Sequence, residues 1–395
     1  MKLVLLNVKY SPNLGDGIIA ECLEAGLRAS HPSVEVESCD IAGRKGYGQG
    51  INRSRELVFA VLDRLPKSIR RQVVAQILKR MIRKSLARHY AESLSGADAA
   101  LIGGGQLIAD ADLNFPLKLD AAAYAAGEAA VPVGVYGAGV GSHFTKAGLA
   151  LFRSAFSAGL LCACVRDERS RARWDKDFAP PAASIVNDPG LLSCDTYPHE
   201  PRASAERPVI GLGLTNPSTL KLHADRESLD RRGWTRFFTT LCEDLLELGY
   251  DIQLFTNGAH DDHRFAGAVH DGLPDALKTS GHIRPAPALT EPRDLAVLIA
   301  GLDGLIAHRL HANIIAYSYG IPHVGLGWDS KMEGFFGEVG RSDFLVSEAR
   351  PEAGQVAERL QAAMQLGIDG EKRLSVVETT RTQVNELVSK LLETL

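Results

Sequence analysis

Between Ala307 and Lys331 the chain concentrates side chains that can hold charge and move protons. His308-Arg309-Leu310-His311 supplies two imidazoles and a guanidinium, and Lys331 comes shortly after. Arginine offers a planar fork for a carboxylate or phosphate, and lysine a mobile point charge. Histidine can give or take a proton near neutral pH. Such a set suits a small, anionic, phosphorylated molecule. Another cation, Arg166, ends the apolar run Cys162-Ala163-Cys164-Val165 and precedes Asp167 and Ser170. A single histidine at a helix start is usually a cap or a surface group. Here the clustering of His308, Arg309, His311 and Lys331 behind one strand turns the balance towards chemistry.

The elements that must position these groups are legible. Gly304 to Ala307 is a short apolar run, and Leu310, Ile314, Ile315 and Tyr319 then share one helix face. Gly320 and Pro322 stop that helix. His323 to Gly327 reads as a second buried strand leading to an exposed turn, Trp328 to Lys331. The unit is strand, helix, strand, with the charged groups past the carboxyl ends of the strands. Open α/β sheets bind ligands there, and a helix N-terminus offers free N–H groups to anions.

The rest of the chain repeats this alternation. Lys2 to Val8 is a strand, followed by the turn Tyr10 to Asp16 and a helix from Gly17 to Ser30 that His31-Pro32 ends. No GxGxxG occurs, so a dinucleotide is not indicated. Asn13 and Asp16 either hydrogen-bond a sugar or form the turn and cap the helix; capping is the simpler reading for either alone. Val34 to Ile41 is a second strand, and Ala99–Gly105 and Val131–Gly141 are apolar runs entering glycine clusters. Glycines such as Gly104 and Gly105 let backbone N–H groups approach a ligand, or simply make a tight turn. Ser184 to Pro189 closes the first half. After an aperiodic stretch at 195–208, strands at Val209–Leu214 and Asp251–Phe255 alternate with helices at Trp234–Leu248, Asp262–Val269 and Pro292–Ala300. Phe344–Ser347 is the last strand. The expected class is α/β with two Rossmann-like domains, 1–194 and 209–350. A linker, 195–208, joins them, and C-terminal helices fill 351–395.

Composition excludes several classes. The chain has 395 residues, 45% hydrophobic and 23% charged, with a net charge of -4, which argues against nucleic acid as a partner. Six cysteines without CxxC spacing fit a reducing compartment. MKLVLLNV lacks a signal-peptide pattern and no run approaches a membrane span, so a cytoplasmic location is expected, or the inner membrane face. The segment 64–88 carries nine basic residues and no acidic one, with Val73, Val74, Ile77, Leu78, Met81 and Ile82 on one stripe. That pattern suits peripheral contact with an anionic membrane. The simpler reading is an outer helix of a sheet domain with a solvated basic face. His260-Asp261-Asp262-His263 has metal-ligand types, but they are consecutive and read better as helix capping, so no metal is expected.

Taken together, Asn13-x-Gly15-Asp16, Ile102-Gly103-Gly104-Gly105, Gly137-x-Gly139-x-Gly141, Arg166-Asp167-x-x-Ser170, Asp188-Pro189, Arg309-Leu310-His311-Ala312 and Asp329-x-Lys331 resemble the polysaccharide pyruvyl transferase family. The match runs from about Asn13 to Phe336 and rests on the order and spacing of individually common motifs. Ala138 and Trp328 depart from the family's usual residues. The resemblance implies a GT-B-like fold, two Rossmann-like domains facing across a cleft. It also implies transfer of the carboxyvinyl group of phosphoenolpyruvate to two sugar hydroxyls as a cyclic ketal, with no cofactor beyond that donor. By position, Arg166, Arg309, His311 and Lys331 would hold the donor. The acceptor, a sugar or lipid-linked oligosaccharide, would lie near Asn13, Asp16, Gly104 and Gly105 on the N-terminal side. Protonation of the donor's methylene carbon needs an acid, which we assign to His311, with His308 as its reserve and Arg309 beside them. A nucleotide-sugar glycosyltransferase and a non-catalytic glycan-binding protein are the alternatives.

Overall fold

The computed structural model describes residues 1–48, 67–110, 112–200, 206–223, 229–328 and 330–395. Among them the chain forms two six-stranded sheets in which every pairing is parallel. Strands covered by helices on both faces read as continuous apolar runs rather than alternating ones. Leu3-Val4-Leu5-Leu6 and Gly304-Leu305-Ile306-Ala307 are such runs, and all are buried.

The first sheet runs β2 (Glu35–Asp40), β1 (Lys2–Asn7), β3 (Ala99–Gly103), β4 (Val133–Ala138), β5 (Ala163–Val165), β6 (Ser184–Ile185). The second runs β12 (Leu345–Val346), β11 (His323–Leu326), β10 (Gly304–Ala307), β7 (Val209–Gly213), β8 (Asp251–Phe255), β9 (Ile283–Pro285). In the second sheet the core gathers Leu212, Leu254 and Ile306 from the strands with Trp234, Phe238 and Phe265 from two helices. The helix Arg231–Glu247 begins where Asp230 accepts the Gly233 N–H, and Leu310–Tyr319 ends at Gly320 in the left-handed conformation, φ +79.

By contacts the chain divides into two compact units, Met1–Ser11 with Ile19–Pro189 and Thr380–Leu395, and Pro12–Ile18 with Gly190–Thr379. The boundary thus falls between Pro189 and Gly190, ahead of the expected linker at 195–208, of which 201–205 lie outside the described residues. The reason is local: Cys194 N–H donates to Ser318 Oγ, and Tyr319 Oη donates to the carbonyls of Ser193 and Tyr197. These bonds attach the stretch after Pro189 to the helix behind β10. The C-terminal helices are likewise no separate piece. Val356, Ala357, Leu360 and Ala363 of Ala353–Leu366 belong to the second core. The far end of Gly370–Thr394 joins the first unit, where Asn187 donates from its backbone to Gln383 Oε1 and from Nδ2 to Thr380 Oγ1.

The basic segment begins, within the described residues, as the helix Lys67–Met81, passes a π-helical turn at Ile82–Leu86, and continues as Ala87–Leu94. No described helix is long and apolar enough to cross a membrane.

Leu212 is fully buried between two central strand neighbours, Leu254 and Ile306. Leu212→Ala should therefore cost ~2–5 kcal/mol of stability, measured as a lower midpoint in urea with an unchanged slope.

Candidate functional site

The second unit assembles its site from the turns behind three adjacent strands. Ala307 of β10 pairs with Gly213 of β7, which pairs with Phe255 of β8. Arg309, Thr215 and Asn257 therefore each stand two residues past aligned positions, at the carboxyl edge of the sheet's centre. Arg309 is held there by the fully buried Asp262: Arg309 Nε donates to Asp262 Oδ2 at 3.1 Å, and Nη2 donates to the same oxygen. The other carboxylate oxygen accepts the backbone N–H of Asn216 at 2.8 Å. Asp262 lies in the first turn of His260–Asp271, whose N-cap, Ala259, makes no side-chain cap bond. The expected capping role is thus replaced by an ion pair. An internal carboxylate draws its partner and a backbone N–H more strongly than a solvated helix end does.

Asn313 secures the turn itself, donating from Nδ2 to the carbonyls of Ala307 and Arg309. His311 stands one residue into the helix that opens there. Its ring lies against Gly15: a Cβ placed on Gly15 would come within 2.6 Å of His311 Nδ1 and 2.8 Å of its Cβ. The stretch Pro12–Ile18 reaches this position through Leu14, whose N–H donates to the Asn257 carbonyl at 2.7 Å. Asn13 and Asp16, both half-buried, consequently belong with the second unit rather than the expected N-terminal side, and the Asp16 N–H closes their turn on the Asn13 carbonyl at 3.0 Å. The sequence could not reveal this, because helix Leu14–Ser30 begins in one unit and continues in the other.

His308 does not stand beside His311 as a second proton donor. It is 1% exposed, edge-on to Trp234 at 4.6 Å and to Phe238 at 5.9 Å between ring centres. Burial first, then the charge of Arg309, lowers its pKa to about 3, so the ring is neutral at ordinary pH. Its carbonyl accepts the Trp328 indole N–H at 2.8 Å, and Lys331 Nζ lies 5.8 Å from the centre of the Trp328 ring. Lys331 opens the helix Ser330–Glu338, so the expected exposed turn is a helix start; Asp329 lies outside the described residues. Asn257 and Thr215, each 1% exposed, have side-chain polar atoms without a hydrogen-bond partner among the described residues. Buried polar groups in that state mark a place where a bound molecule or water completes the set.

In the first unit two glycine motifs interlock with Arg166. Asp167 caps the helix Glu168–Asp177 by accepting the Ser170 N–H at 2.7 Å, and Ser170 Oγ accepts the Val140 N–H at 3.0 Å. The buried Arg166 guanidinium packs on Gly139, where a Cβ would sit 2.7 Å from Nη2; Arg166 Nε is 3.4 Å from Asp167 Oδ2. Gly104 and Gly105 have φ of +79 and +66, and a Cβ on Gly104 would meet Ile19 at 2.6 Å. Those glycines are required by the turn itself. The Gly105 carbonyl accepts the Gly139 N–H at 2.8 Å, which ties the two clusters together.

A model of the polysaccharide pyruvyl transferase family matches residues 13–330. The chain belongs to that family. No curated protein sequence matches it. Among solved structures it is similar to UDP-GlcNAc 2-epimerase from Neisseria meningitidis bound to UDP-GlcNAc, with 11% identity, all of both chains covered and a TM-score of 0.57. A putative UDP-N-acetylglucosamine 2-epimerase from Listeria monocytogenes gives 11% identity over 98% of this chain and 94% of that one, TM-score 0.59. MnaA of S. aureus, in a co-structure with UDP, gives 12% identity over 96% and 91%, TM-score 0.56. At such identity the likeness is one of fold, the GT-B type with two Rossmann-like parallel sheets.

This geometry has two measurable outcomes. Gly15→Ala should lower the melting temperature, because a Cβ there meets the His311 ring and also the His311 Cβ at 2.8 Å, which cannot swing away without its backbone. The His311 imidazole resonances should shift, with those of the other histidines unmoved. Second, buried His308 and His323 both have pKa values lowered to about 3, chiefly by burial. The unfolded chain binds their protons near pH 6.5 while the folded one does not. Stability is therefore whole above that pH and declines as pH falls towards 3. Denaturation midpoints should drop across this window, and His308→Leu should flatten the decline.

Proposed function

We propose that this protein transfers the pyruvyl group of phosphoenolpyruvate to two hydroxyls of a sugar in an exopolysaccharide or cell-wall glycan precursor, forming a cyclic ketal and releasing phosphate. The observation that carries the reading is the His311–Arg309 turn at the carboxyl edge of β10, within a chain of the pyruvyl transferase family. Phosphoenolpyruvate brings a carboxylate and a phosphate, which need cationic, hydrogen-bonded partners once out of water.

Each residue then has a task. His311, as imidazolium, protonates the methylene carbon, making C2 an oxocarbenium-like centre that one sugar hydroxyl attacks. The C–O bond to phosphate then breaks, and the second hydroxyl closes the ring at the same carbon. Of the two hydroxyl protons, one ends on the new methyl group by way of His311 and the other on the departing phosphate. Arg309, oriented by Asp262, and Lys331, beside Trp328, hold donor charge and the leaving phosphate. Arg166 is assigned to donor charge as well. Asn13 and Asp16 are assigned to the acceptor hydroxyls, and the turn glycines Gly104 and Gly105 to backbone contacts with an acceptor. His308 acts through packing, as a neutral base for the turn that carries Arg309. No metal or cofactor takes part in this scheme.

A positioned acid contributes ~10²–10⁴ in rate. Phosphoenolpyruvate with candidate sugars and lipid-linked oligosaccharides should release inorganic phosphate, and His311→Ala should lower that rate by about two to four orders of magnitude at unchanged melting temperature. Undiminished release in the variant removes the assignment. UDP released from a nucleotide sugar would favour a glycosyltransferase. Thermal stabilisation by glycan without phosphate release would favour a binding protein.

A further inference from the structure

We propose that the outer face of the helix Lys67–Met81, with the basic turn behind it, docks on an anionic lipid bilayer. The sequence suggests one apolar stripe along this segment, but the structure shows two. The inner one, Val74, Leu78, Met81 and Ile82, packs with Leu113, Leu117 and Leu151, and Arg70 pairs with Asp112 beside it. The outer one is Ile69, Val73 and Ile77, at four-residue spacing and therefore on one face. These side chains are 48%, 37% and 47% exposed. No other described helix presents three large apolar side chains so exposed at helical spacing.

Basic groups continue the same face. Arg80 follows Ile77 by three residues and Lys84 follows Arg80 by four, while Lys79, Arg83 and Arg88 are also exposed. The span 64–88 contains no acidic residue, in a protein whose net charge is -4. Part of that span, 64–66, lies outside the described residues.

Charge decides the occupant. A second copy of the chain placed on this face would bring two basic segments together, which is repulsive. A nucleic acid would meet the cations but has no use for an isoleucine–valine stripe. An anionic membrane surface satisfies both, taking the apolar side chains into the boundary between headgroups and acyl chains while its phosphates meet Arg80, Arg83 and Lys84. Each basic residue near such a surface is worth about fivefold in partitioning. This inference stands apart from the assigned reaction and needs none of its residues.

The full-length protein should pellet with phosphatidylcholine vesicles containing phosphatidylglycerol at low salt. It should do so far less with phosphatidylcholine alone, or with added salt. Replacing Ile69, Val73 and Ile77 together by serine should lower partitioning tenfold or more with an unchanged circular dichroism spectrum. R80Q/R83Q/K84Q should do the same by removing charge. Failure to pellet with the anionic vesicles overturns the proposal, as does undiminished pelleting of the serine variant. A dimer by light scattering that the serine variant disperses would assign the face to a second copy instead.

Discussion

The contact between Arg309 and Asp262 is the constraint on which the site rests. Asp262 is wholly buried and answers two groups at once, the guanidinium and the Asn216 N–H. Taking a carboxylate out of water is costly, and it stays charged inside a protein only when its oxygens are satisfied. The pair therefore fixes three loops relative to one another: the one after β7, the first turn after β8 and the one after β10. Removing either partner of such a pair leaves an uncompensated charge, a loss of ~3–5 kcal/mol in comparable settings. The guanidinium retains donors beyond the two that Asp262 engages, because arginine carries five. It can be held rigidly and still meet an anion.

Around this pair the fold supplies stiffness. Asn313 bonds back to the carbonyls that begin its own helix, and Trp328 bonds to the carbonyl of His308. His308 fills the space beneath as a neutral ring between aromatic faces. The imidazole that faces Gly15 and the imidazole that faces Trp234 are only three positions apart, yet one serves chemistry in our reading and the other packing. The difference is environment, not residue type.

Much of this was legible in the amino-acid order. The strand–helix–strand unit at β10 and β11 follows from an apolar run, a helical stripe and a glycine–proline stop, all local signals. The family follows from motif order and spacing. The features that escaped did so for physical reasons. Asp262 sits in a run of five polar residues, His260 to Arg264, with nothing local to name Arg309, a partner 47 positions away. Gly15 looks like any turn glycine, because the side chain that forbids a Cβ there belongs to a helix almost three hundred residues on. Helix Glu168–Asp177 buries only Ser170 and Trp174, so it has no stripe to detect. Strand β9 is three residues with one buried side chain, shorter than any periodicity can register. The two faces of Lys67–Met81 overlap in sequence, and only packing on Leu113 and Leu117 separates them.

The placing of Trp328 has a practical corollary. Of the three tryptophans, Trp174 and Trp234 are enclosed in the two cores, whereas Trp328 is half-buried at the carboxyl edge of the second sheet. Its indole N–H is anchored to the His308 carbonyl and an ammonium lies near its ring. Fluorescence from that ring responds to polarity and to nearby charge. The protein thus carries a native optical probe within the very turn where we place the phosphorylated donor.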